Sequence, residues 1–116
     1  MTRESESWLI EAGDRAIRAA AEAGGTAPTP WAALVRALWW ADYAMRNGEA
    51  LAAADAASGF HAAGRVASDV LQLPLTRRLF ALDLSRFEAE YLDRFEAVCS
   101  EVRAAEPGAA ADGPRL

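Results

Sequence analysis

The chain of 116 residues has one histidine, His61, followed at helical intervals by Arg65 and Asp69. On a helix these side chains lie roughly in line, one turn apart. An exposed imidazole can accept a phosphoryl group, and a guanidinium one turn away can steady it through charge-assisted hydrogen bonds. Asp42 is a second candidate, because it falls on an apolar stripe between Leu38 and Met45. A carboxylate there must be paired, hydrogen-bonded or protonated, since burying it bare is very costly. The preferred expectation is an ion pair with an arginine from another helix, drawn from Arg65, Arg77 or Arg78. The functional alternative is a carboxylate inside a pocket walled by Trp39 or Tyr43. The lone cysteine, Cys99, falls on or beside the packing face of the last helix, which makes it a buried thiol rather than a nucleophile.

A lone surface histidine on a small helical bundle resembles the histidine phosphotransfer domains, in which that residue accepts a phosphoryl group from a response-regulator aspartate. The resemblance implies His61 as phosphoacceptor and Arg65 as its phosphate partner. That family carries lysine three residues after the histidine and glycine four after. Here those positions are Gly64 and Arg65, so the two chemistries stand in swapped order. The likeness is confined to a short stretch around His61, and an ordinary half-exposed surface role is the preferred reading. Metal chemistry finds no pattern: a di-iron bundle needs Glu-x-x-His pairs, and Ser58 stands three residues before His61. There is no HExxH, cysteine pair, calcium loop, P-loop or dinucleotide fingerprint. Ser58 and Ser68 flank His61 without a third member of a triad. No cofactor and no metal are expected, and the balance is against an enzyme.

The element that must position most of these groups runs from Pro30 to Gly48, PWAALVRALWWADYAMRNG. Thr29-Pro30 is a start signal, with Thr as cap and Pro at the first helical position. Asn47-Gly48 is a stop, because both residues tolerate the left-handed conformation that ends helices. Trp31, Leu34, Val35, Leu38 and Met45 share one face, while Trp40 and Tyr43 fall on the other beside Arg36. A helix apolar on both sides asks for cover on both sides, which a chain this short struggles to supply. A partner is therefore expected, with Trp39, Trp40, Tyr43 and Arg36 as the interface residues.

The other elements follow from the same periodicity. A first helix from about Arg3 to Ala23 presents Leu9, Gly13, Ala16 and Ala20 on one face. Glu49 to Leu73 is proline-free and is expected as one helix weakened at Gly59 and Gly64, with Val66 and Val70 beside its packing face. Pro74 ends it, and a short helix follows over Leu75 to Leu82. Ser85-Arg86-Phe87-Glu88 matches a capping box that opens the last helix, which runs to about Ala104. Its stripe is Leu84, Phe87, Tyr91, Val98 and Val102, with Leu92, Phe95 and Cys99 alongside. The two aromatic helices, second and last, are expected to supply the bulk of the core.

The fold class expected is all-α: a small up-and-down bundle of about four helices, associating through the aromatic-rich central one. Residues 1–105 form a single domain, and 106–116, EPGAAADGPRL, a disordered tail. The formal charge is −5, from 17 acidic and 12 basic side chains, and every basic one is arginine. That balance argues against a nucleic-acid binder working through phosphates. The absence of lysine beside abundant Ala, Arg and Gly matches a GC-rich bacterial coding bias. The charged start MTRESESW and the lack of any spanning apolar run suggest a cytoplasmic chain without membrane contact. The function expected is a non-catalytic interaction module whose partner is itself, as a homodimer, or a larger protein subunit. The phosphotransfer protein using His61 and the small enzyme or ligand-binding bundle built on Asp42 are the alternatives.

Overall fold

The computed structural model describes residues 3–107. Among these lie six helices: α1 Arg3–Glu22, α2 Pro30–Arg46, α3 Leu51–Ser58, α4 Phe60–Val70, α5 Pro74–Ala81 and α6 Leu84–Ala104. No strand occurs among the described residues, so the all-α expectation holds. The expected tail, 106–116, lies outside the described residues apart from Glu106 and Pro107.

The count of about four helices is corrected to six, and the main reason is Gly59. It adopts φ 69°, a left-handed conformation that costs glycine little and ends α3. The break is stitched by short polar contacts. Ser58 Oγ donates to Ala54 O at 2.7 Å, and the Asp55 carboxylate accepts the His61 N–H at 2.9 Å, satisfying one orphan donor of α4. Gly64, the other weak position, stays helical because its bare Cα is what lets the Phe80 ring lie against α4.

The start of α6 is also corrected. Its N-cap is Asp83, whose Oδ1 accepts the Arg86 N–H at 2.9 Å, so the helix begins before the expected Ser85 box. A carboxylate in that position both caps and complements the positive end of the helix dipole. The expected caps of α2 are present: Thr29 Oγ1 accepts from Ala32 N at 3.1 Å, and Gly48 turns left-handed at φ 68°. The same type of closure ends α4, where Leu73 N donates to Ser68 O and Gln72 N to Asp69 O, each at 3.1 Å. There the left-handed residue is Gln72, at φ 55°.

Helix α2 is the centre of the packing, touching α1, α3, α4 and α6. It contributes Leu34, Val35, Leu38 and a set of alanines to the core. The aromatic core comes from elsewhere. Phe60 of α4 and Phe80 of α5 meet Phe87 at 5.8 and 5.2 Å, and the row continues along α6 through Tyr91 and Phe95. The indoles of α2 sit half-buried at the margin, so α2 supplies the core with aliphatic side chains and α6 with aromatic ones. Trp31 ties α2 to α6 by donating its Nε1–H to Val102 O at 2.9 Å.

Candidate functional site

Asp42 is buried, with 1% of its surface exposed. Its Oδ2 accepts from Arg46 Nε at 2.7 Å, and its Oδ1 accepts the Tyr91 hydroxyl at 3.0 Å. The arginine is therefore one turn along the same helix, not Arg65, Arg77 or Arg78 on another. The geometry explains the choice. Arg46 is at the last turn of α2, so its guanidinium reaches back along the helix while remaining partly solvated, with Glu6 of α1 3.7 Å away. Tyr91 supplies the cross-helix contact from α6, a partner type the charge pattern did not suggest.

Cys99 lies close enough to this carboxylate to feel its charge. Burial pushes the thiol up to about 12, and the charges of Asp42 and Glu96 push the same way. The Tyr91 phenol is also raised, first by burial and then by Asp42. Both groups are held protonated, which suits Tyr91's donation to Asp42 and makes Cys99 a poor nucleophile.

His61 is half-buried between two rings, Phe60 at 6.4 Å and Phe87 at 5.9 Å between centroids. Its Nε2 lies 2.7 Å from Leu82 O. A carbonyl accepts, so Nε2 is the donor in this contact. Arg65 Nε donates to Phe80 O at 3.4 Å. The two residues are thus brought together by a common target, the C-terminal carbonyls around α5. Its other end is held by Glu101 of α6, which accepts from Thr76 N and Thr76 Oγ1 at 2.8 Å and from Leu75 N at 3.0 Å. Helix α5 has only eight residues and no side-chain cap of its own. A helix so short is unstable alone, and here a carboxylate sits at its positive end and an imidazole and a guanidinium at its negative end. Glu101 was not among the sequence candidates. The signal available was an uncapped Leu73-Pro74 start, which asks for an external acceptor without naming it.

The candidate interface residues divide. Trp39, Trp40 and Tyr43 do form one cluster, with Trp39 stacked on Tyr43 at 5.2 Å and edge-on to Trp40 at 5.4 Å. Trp39 lies directly over Gly13 of α1, where a methyl group would overlap the indole. Trp40 packs on the core margin, and Tyr43 is the most open of the three at 37% exposure. Arg36 reaches toward the α1–α2 loop, with Gly25 O at 3.5 Å.

Helix α4 carries the surface that sequence reasoning misplaced. Val66 and Val70 were expected beside the packing face, yet they are 63% and 59% exposed. Helix α4 packs through Phe60, Gly64 and Ala67, as the periodicity predicts, but the buried flank beside them is Ser68's, which leaves the valines facing outward. They border an apolar groove of about 420 Å³ lined also by Pro30, Ala33, Ala62, Ala63 and Ala67.

Among the described residues, no three histidine, cysteine or carboxylate side chains converge as a metal site. No helix among them is long and apolar enough to cross a membrane. Compared with protein-family models, with curated proteins and with solved structures, the chain matches none.

Proposed function

We propose that this chain is a non-catalytic helical interaction module that works by association, as a homodimer or as an accessory subunit of a larger assembly. One observation carries the reading: the polar groups with chemical potential are consumed in holding helices, while large apolar side chains stand in the open. Asp42 is saturated by Arg46 and Tyr91, His61 and Arg65 close α5, and Cys99 is buried. Val66, Val70 and Leu92 are each more than half exposed, and Tyr43 extends the aromatic cluster of α2 to the surface. Apolar surface of this kind is what an interface removes from water. The aromatic cluster supplies the anchor types that dominate binding energy at interfaces.

The test is the mass of the native particle. Light scattering in line with size exclusion is run on purified protein and on protein withdrawn from its own cells through a tag. A mass above the 12.4 kDa chain is expected in at least one preparation. A lone 12.4 kDa chain in both ends the reading.

A further inference from the structure

We propose that a second copy of this chain docks on α4, the two α4 helices running antiparallel about a two-fold axis. The proposal rests on the association reading and names its surface. The exposed face of α4 has two flanks. Val66 and Val70, one turn apart, form the flank beside the alanine-floored groove of about 420 Å³. Arg65 and Asp69, also one turn apart, form the other, and both border a second depression on the far side of the valines.

A two-fold interface joins a patch to itself, so the patch must be self-complementary. An antiparallel two-fold brings the same flank of each helix together and reverses the order of residues. Centred near Ala67, it sets Arg65 of one copy against Asp69 of the other, twice. Centred one residue further on, it sets Val66 against Val70, twice. The two centres differ by about 1.5 Å along the helix, so one register satisfies both flanks. Shape agrees with charge. The valines project as knobs, and the floor of Ala33, Ala62, Ala63 and Ala67 leaves room for those of the second copy.

Arg65 spends only its Nε on closing α5, so its guanidinium keeps further donors for this exchange. Arg65 and Asp69 have the spacing of an intrahelical pair, yet Arg65 leans to Phe80 O, and Asp69 to Arg77 at 3.3 Å. That Asp69–Arg77 pair is well exposed, at 68% and 52%, and such pairs hold little energy. Helix α4 has 11 residues, about 16 Å, so the contact is smaller than a standard interface and the dimer is expected to be concentration-dependent.

Sedimentation equilibrium over a concentration series tests this on the full chain, with thermal melts to verify folding. The wild type should dimerise. Val66→Glu, at a site that packs on little of its own chain, should weaken dimerisation by more than about tenfold. Arg65→Glu and Asp69→Arg should each weaken it, because each sets like charges across the axis. An equimolar mixture of those two variants should associate again, since every cross-axis contact in the mixed pair is then opposite in sign. A wild-type dimer insensitive to Val66→Glu overturns the α4 surface and leaves the association reading standing. A mixture no tighter than its components overturns the antiparallel register. A wild type that stays monomeric overturns the proposal outright, and the association reading then depends on the native particle mass. If Val66→Glu strips mass from that particle, the groove belongs to a different chain.

Discussion

Asp42 shows how a charge is kept inside a small apolar bundle. Its two oxygens face one cation and one phenol, so neither is left unpaired, and the cation itself reaches solvent. Removing the phenolic hydroxyl by Tyr91→Phe strands a buried acceptor, which should cost about 1–3 kcal/mol in urea unfolding. The neighbouring Cys99 makes a second prediction at this scale. Its thiol ordinarily titrates near 9.0 and is pushed up to about 12 in the fold. The unfolded chain therefore loses this proton first, so the stabilising contribution is complete below about pH 9 and is lost as pH rises toward 12. Tyr91, also raised, acts with the same sign above its ordinary value of 10.0. Alkaline denaturation curves should steepen in that window, and Cys99→Ser should flatten them. Iodoacetamide should label Cys99 only as the protein unfolds, because a protonated, buried thiol is a poor nucleophile.

At the scale of the element, α5 is the informative case. Its eight residues are held at both ends by side chains from other helices, with the Glu101 carboxylate at the positive end of its dipole and the Arg65 guanidinium at the negative end. Glu101→Ala removes three accepted hydrogen bonds from the first turn and should cost about 1–2 kcal/mol. Hydrogen exchange should localise the loss to the amides of Leu75 and Thr76. His61→Ala should loosen the opposite end, around Leu82. Helix α4 ends on a strained residue rather than a missing cap. Gln72 holds φ 55°, a conformation that costs a side-chain-bearing residue about 1 kcal/mol more than glycine. Gln72→Gly should therefore raise the melting temperature, with the hydrogen bonds to Ser68 O and Asp69 O intact.

Over the whole molecule, two glycines set how closely the helices approach. Gly13 accommodates Trp39 between α1 and α2, and Gly64 accommodates Phe80 between α4 and α5. Alanine at either gains helix propensity of up to about 1 kcal/mol but must displace a ring, an overpacking cost of about 1–3 kcal/mol. The two should differ in outcome. Trp39 is half-buried at the margin and can shift, whereas Phe80 is fully buried against Phe87. Gly64→Ala should be the more destabilising in thermal unfolding. The same packing decides which surface is left over for a partner, because it turns Val66 and Val70 outward.

The all-α class, the termini of α2 and the packing stripes of α1 and α6 were legible because each depends on local rules: helical period, capping residues and proline. Thr29-Pro30 and Asn47-Gly48 bound their helix whatever surrounds it. The burial of Asp42 was legible too, since its place on the stripe is a matter of spacing. Its partners were not, because Arg46 and Tyr91 were selected by where α6 and the end of α2 meet. Gly59 and Gly64 look alike in one dimension. The Phe80 ring packed on Gly64 and the Ser58 and Asp55 hydrogen bonds around Gly59 are what distinguish them, and both are tertiary or cross-break contacts. The same dependence hid Glu101, whose three hydrogen bonds join segments about 25 residues apart. Local chemistry determined the elements of this protein, and the helix-to-helix packing decided which polar groups were consumed inside and which apolar ones stayed outside.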